Sequence, residues 1–143
     1  MLFRSYFLVA VRMGGSGDVT ASHQAYKIDK AAPYVPTPVV VGDRLYMVSD
    51  LGIASCVEAS TGRVIWSERI PKGNCFASPV FADARVYFLS EEGECTVIAP
   101  GQEYRELARN QVAERTLASL AISDRAIFLR GERSLYRIEK SVA

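Results

Sequence analysis

A chain of 143 residues, 49% hydrophobic and 23% charged, has the length of one domain and the composition of a folded globular protein, which excludes disorder, collagen and low-complexity sequence. With 17 Lys and Arg against 16 Asp and Glu it offers no extended cationic surface for counterion release, so a nucleic-acid partner is not expected.

The N-terminal run Tyr6 to Val11 follows Arg4 in the manner of a secretory leader, but it is short, lacks a small-residue cleavage site and is interrupted by Arg12, so it is read as a strand. No later stretch approaches the roughly 20 apolar residues of a membrane span. Gly14-Gly15-Ser16-Gly17-Asp18 ends in Asp where a G-x-S-x-G elbow needs Gly, and it lacks the Lys of a phosphate-binding loop; it is read as an enlarged turn. His23 is the sole histidine, which removes His-rich metal sites and leaves a Ser16, Asp18, His23 triad without the strained loop that would support it.

From residue 35 onward the chain repeats itself. Thr37 to Gly52 (TPVVVGDRLYMVSDLG) and Ser78 to Gly93 (SPVFADARVYFLSEEG) align without a gap at an offset of 41, with six of sixteen positions identical. Ser119 to Ser134 (SLAISDRAIFLRGERS) starts a third copy 41 residues further on, making Tyr46, Tyr87 and Phe128 equivalent. Val35, Phe76 and Leu117 stand two residues before the Thr or Ser that opens each copy. Such a period points to a repeat architecture.

Within the first copy the β-type runs are Pro38 to Val41, Arg44 to Ser49, Ile53 to Glu58 and Arg63 to Glu68. Gly42-Asp43, Asp50-Leu51-Gly52 and Thr61-Gly62 supply the turns between them. In the second copy, Tyr104 to Arg115 has charges on all faces and is read as strand plus loop. Four antiparallel strands every 41 residues predict an all-β fold, a β-propeller of four-stranded blades, with about 3.5 blades in this chain. Both faces of a blade pack on neighbours, which accounts for nearly continuous apolar runs such as PVVV and VYFL. The expected division is residues 1–34 as the end of a preceding blade, 35–68 and 76–108 as blades, and 117–139 as an incomplete terminal blade.

The string Cys56-Val57-Glu58-Ala59-Ser60-Thr61-Gly62-Arg63-Val64-Ile65-Trp66 resembles the blade motif of the pyrroloquinoline-quinone-like (PQQ-like) propeller repeat family. Glu58, Thr61, Gly62 and Trp66 are its structural residues: Thr61-Gly62 makes the hairpin and Trp66 caps the interface between blades. The second copy keeps a worn form at Ile98-Ala99-Pro100-Gly101, with Leu107 at the Trp position, and Tyr26 stands near that position in the N-terminal segment. The resemblance implies a closed ring of roughly twice this many blades, so the chain is expected to be a fragment of a longer propeller, or to close the ring as a homodimer. It also suggests a bacterial periplasmic or secreted setting, although no signal peptide is evident.

Quinoprotein dehydrogenases share the fold, and the resemblance to them implies a calcium ion, an Asp base and stacking aromatics, none of which is recognisable here. Asp43, Asp83 and Asp124 fall at hairpin turns, where Asp bonds its local backbone. Glu91-Glu92-Gly93-Glu94 reads as a solvated hairpin. Arg125, Arg130, Arg133, Arg137 and Lys140, interspersed with Glu132 and Glu139, read as a mixed exposed face. Cys56, Cys75 and Cys95 match no zinc spacing and read as small hydrophobes buried in strands, with a Cys56 to Cys95 disulfide or a reactive thiol as alternatives. The reading is a non-catalytic binding or scaffold module that needs no cofactor and engages a protein partner, or the rest of a longer propeller, through its loop-rich rim or axis. Alternatives are part of a PQQ-dependent dehydrogenase and an interaction protein of the outer-membrane-assembly type.

Overall fold

In the computed structural model, which describes residues 6–70 and 72–140, the period becomes a succession of small antiparallel sheets. Strands β1 (Leu8–Val11) and β2 (Gln24–Ile28) form a two-stranded sheet. Next come β3 (Val39–Val41), β4 (Arg44–Val48), β5 (Ile53–Glu58) and β6 (Val64–Arg69) in spatial order 3-4-5-6. The second full sheet holds β7 (Val80–Ala82), β8 (Arg85–Leu89), β9 (Glu94–Ala99) and β10 (Arg105–Gln111) in the same sense. A three-stranded sheet of β11 (Ala121–Ser123), β12 (Ala126–Arg130) and β13 (Leu135–Glu139) completes the described residues. Nearly all regular structure is strand, and the four open sheets form a partial β-propeller.

Alternation along the inner strands sends apolar side chains to both faces. On β4, Leu45 and Met47 face the β1–β2 sheet and pack with Ile28, Val57, Leu8 and Tyr26. Tyr46 and Val48 face the opposite way and pack with Ala54, Cys56, Trp66, Ile70 and Cys75 against Val86, Phe88 and Ile98 of the next sheet. A third cluster, around Leu89, Leu120 and Leu129, joins the second full sheet to the three-stranded one. Side chains of the inner strands β4, β5, β8 and β9 are therefore withdrawn from water on both faces, at about 25 cal/mol per Å² of apolar area, and one sheet alone would leave both faces wet. The outermost strand β10, with no sheet beyond its edge, is exposed along its whole length.

Hydrogen bonds between sheets repeat the sequence period. The Thr37 N–H donates to Ser78 Oγ and the Ser78 N–H to Ser119 Oγ, each at 2.9 Å across 41 residues. Connectors are tied to the hairpins they pass: Cys75 N–H to Asp50 O and Thr116 N–H to Glu91 O, both 2.9 Å. Turn chemistry differs between copies. Gly42 takes φ +63° in the first two-residue hairpin, whereas Asp83-Ala84 (48° and 53°) and Asp124-Arg125 (50° and 61°) put two non-glycine residues in the left-handed region.

Several details depart from the sequence reading. Residues 20–23 form a single helical turn, α1 (Thr20–His23), begun by Asp18 Oδ1 accepting the Thr20 N–H at 2.9 Å, because four residues carry no readable period. Strand β1 starts at Leu8 rather than Tyr6, and Arg4 lies outside the described residues. The β9–β10 turn is one residue longer than the β5–β6 turn, and the bulge between Glu106 and Ala108 repeats the one opposite Cys56 and Val57, so Ala108 stands opposite Val97 as Trp66 stands opposite Cys56 and the place of Trp66 in the second full sheet is taken by Ala108 and not Leu107. In the last sheet Ile127 pairs with Ile138, where Val86 pairs with Ile98, so the hairpin is one residue shorter and β13 follows at an offset of 40.

Candidate functional site

The molecule has two ends. At one lie the two-residue hairpins and the longer β5–β6 and β9–β10 turns, and here Glu58, Thr61, Gly62 and Trp66 are found. The Glu58 carboxylate accepts from Thr61 Oγ1 and, at 3.2 Å, from Arg63 Nη2, while Thr61 Oγ1 accepts the Arg63 N–H at 3.2 Å. Those donors, the Thr61 hydroxyl first, hold Glu58 below the usual carboxylate range. Gly62, at φ +77°, lies flat beneath Tyr26; a Cβ there would come within 2.4 Å of the ring. The Tyr26 hydroxyl donates to Ala59 O at 2.8 Å.

One sheet further on, the Trp66 indole N–H donates to Gly101 O at 3.3 Å and the Gly101 N–H donates to the Tyr46 hydroxyl at 3.0 Å. Tyr104 meets the indole edge-on, with ring centroids 5.3 Å apart, and burial followed by Glu106 pushes its phenol up to about 12. Each turn thus receives an aromatic side chain from the preceding sheet. Trp66 and Tyr46 belong to the core cluster between the two full sheets, with Tyr104 packed against it.

The other end carries the connectors and the β4–β5, β8–β9 and β12–β13 hairpins. Here Val35 and Leu117 are 49% and 47% exposed, with Phe76 half-buried between them, while Tyr34 and Leu51 add 57% and 66%. The polar residues around them are engaged locally. Asp50 Oδ1 accepts the Val35 N–H at 3.1 Å, and Glu91 Oε1 takes Arg115 Nε at 2.7 Å. Glu114 accepts the Arg133 N–H (2.9 Å), the Ser134 hydroxyl (2.6 Å) and the Tyr136 hydroxyl (2.8 Å); these donors, Ser134 first, lower its pKa to about 2. These side chains make a row of exposed apolar groups along this rim.

The catalytic candidates do not assemble. His23 Nδ1 lies 2.8 Å from Ser22 Oγ, not Ser16, and Asp18 is occupied by Thr20. Asp83 holds Arg85 within its own turn. The acidic hairpin is not a solvated loop: Glu94 is 4% exposed, with Lys72 Nζ and Arg109 Nη1 at 3.9 and 3.7 Å. Its Oε1 and the buried Thr96 Oγ1 have no hydrogen-bond partner among the described residues. The available signal was that Glu94 replaces Ile53 of the first copy. Glu114, standing where that copy has Gly73, was missed for the same reason. Among the described residues no three His, Cys, Asp or Glu side chains converge.

All three thiols are free. Cys56 and Cys95 belong to different clusters, and Cys75 is buried in a connector rather than in a strand. Burial pushes Cys75 up to about 11 and Cys95 up to about 12, so neither is a reactive thiolate. Arg125, Arg130, Arg133 and Arg137 are exposed, and Arg137 pairs with Glu139 at 2.8 Å. No described helix is long and apolar enough to cross a membrane.

Comparison with known proteins places this geometry. A family model described as outer membrane protein assembly factor BamB matches residues 22–140. The crystal structure of BamB from Moraxella catarrhalis superposes with a TM-score of 0.74 at 14% identity, covering 95% of this chain and 41% of that one. Glutaminyl cyclase from Myxococcus xanthus superposes with a TM-score of 0.53 at 12% identity, covering 85% of this chain and 55% of that one. The chain thus spans less than two thirds of either relative. No curated protein matches it.

Proposed function

Because the chain belongs to the BamB family of PQQ-like propeller repeats, we propose that it is a non-catalytic binding or scaffold module, part of a larger bacterial propeller, whose connector rim engages a protein partner. The observation that carries this reading is the row Val35, Phe76, Leu117, which recurs every 41 residues on that rim at a spacing fixed by the Thr37, Ser78, Ser119 hydrogen bonds. Asp50, Glu91, Glu114 and Arg115 near it are engaged in structural contacts, which favours binding over chemistry.

The test is capture of partners by the purified chain with and without the Val35→Ser, Leu117→Ser pair. Loss of a specific partner at unchanged melting temperature supports the reading; equal capture by both forms contradicts it. A second reading, an outer-membrane assembly role, is favoured by the description of the matching family model. It predicts that the captured partner is a membrane protein, whereas a dehydrogenase would reduce dye when supplied with quinone and calcium.

A further inference from the structure

Glu94 Oε1 and Thr96 Oγ1 are buried and meet no hydrogen-bond partner among the described residues. Both residues lie on β9, two apart and so on one face. Thr96 stands opposite Phe88, which packs into the cluster shared with the preceding full sheet, so that face looks into the interface between the two full sheets. Two cations approach Glu94 without bonding to it: Lys72 Nζ stands 3.9 Å from Oε2 and Arg109 Nη1 stands 3.7 Å from Oε1. Both separations exceed a direct hydrogen bond and are of the size that a bridging molecule spans.

The first full sheet shows what has changed. There the residue corresponding to Thr96 is Ser55, whose hydroxyl lies 3.0 Å from Ser67 Oγ, directly across the β5–β6 pair. In the second full sheet Arg109 stands opposite Thr96, and its guanidinium is turned to Glu106, with Nε 3.0 Å from Oε1. Glu94 stands where the first sheet has Ile53. A pair of hydroxyls that satisfy each other has thus been exchanged for a carboxylate, a hydroxyl and a guanidinium that do not.

We propose that these groups form an internal water site, at which one molecule donates to Glu94 Oε1 and accepts from the Thr96 hydroxyl, with Arg109 Nη1 as a further donor. The chemistry of the set selects this occupant. A metal ion accepts no hydrogen bond and would be repelled by Lys72 and Arg109, and an anion would be repelled by Glu94, whereas water both donates and accepts. About three bonds to otherwise unsatisfied groups is the usual complement of a buried water. The site joins β9 to β10 beside the connector that carries Lys72, inside the interface, and the inference does not rest on the rim reading.

A high-resolution crystal structure of the chain should show a single water oxygen about 2.5–3.0 Å from both Glu94 Oε1 and Thr96 Oγ1. In solution, Thr96→Val keeps the shape of the side chain and removes the hydroxyl. It should raise the unfolding constant in urea by about threefold or more, because the water loses an anchor and Glu94 Oε1 is left without a fixed donor. Oxygen-17 relaxation of the solvent should count one long-lived water fewer in Thr96→Val than in the wild type. Three results would overturn the proposal: a direct bond from Thr96 Oγ1 to Glu94 or Arg109, or a metal ion in that place, in the crystal; a Thr96→Val chain more stable than the wild type, as removal of a dry, unpartnered hydroxyl would give; or an unchanged count of long-lived waters.

Discussion

Trp66 and Tyr26 meet one requirement with different side chains. Each crosses from its own sheet to the turn of the next and bonds a backbone carbonyl there, Gly101 O or Ala59 O. The requirement is local: a blade turn has carbonyls that no strand pairs, and an aromatic donor satisfies one while covering the cluster beneath. Trp66→Ala removes a side chain that is 91% buried and strands that carbonyl, so it should cost about 3–5 kcal/mol in urea unfolding. Gly62→Ala is the complementary case, a Cβ driven into the Tyr26 ring at positive φ, and should cost roughly 1–3 kcal/mol.

Glu114 gives a pH test. Its folded pKa lies near 2 against an ordinary 4.5, so its contribution is complete above pH 4.5 and is lost as pH falls toward 2. Glu114→Gln should therefore lower stability at neutral pH and flatten the pH dependence across that window. A variant with the wild-type slope would show that the Ser134 and Tyr136 contacts do not form. For Cys75 and Cys95, whose thiols stay protonated at pH 8, alkylation should be slow in the native chain and fast in denaturant.

At the scale of the element, the hairpins separate what pattern can show from what it cannot. Ala84 and Arg125 hold φ of 53° and 61°, a region that costs a non-glycine residue about 1–2 kcal/mol. Ala84→Gly and Arg125→Gly should each raise the melting temperature, by up to about 1 kcal/mol of stability once the greater freedom of glycine in the unfolded chain is set against the relief. A fall would mean these turns are not of the mirror-image type.

Strands β3 to β6 lie within about a residue of where alternation and turn residues put them, because two buried faces leave a long apolar record. The longer β9–β10 turn and the shortened β12–β13 hairpin left no such record. Both arise from one extra or missing residue in exposed, polar segments, where either register satisfies the side chains. The site was less legible than the fold for the same reason. Glu94 and Glu114 are single departures from the repeat, and only packing shows that one is buried between two cations while the other clamps a hairpin.

At the scale of the whole molecule, the period of 41 residues has one physical meaning, that each sheet buries its faces on its neighbours. The sheets at either end have a neighbour on one side only among the described residues, and Leu135 and Ile138, 69% and 45% exposed, belong to the last of them. Stability in such an array is a sum of units and interfaces, so weakening the Trp66 interface should loosen the sheets on both sides of it. Hydrogen exchange should then rise in β7–β9 as well as in β4–β6.

The most direct test of this stacking uses Trp66, the only tryptophan in the chain and the residue that spans the two full sheets. Its native fluorescence should be that of a buried indole, blue-shifted and poorly quenched by acrylamide. Tyr104→Leu, on the neighbouring sheet, should shift that emission and increase quenching while the chain remains folded by circular dichroism. A red-shifted, freely quenched indole in the folded protein, or an emission unmoved by Tyr104→Leu, would contradict the face-to-face packing of the blades.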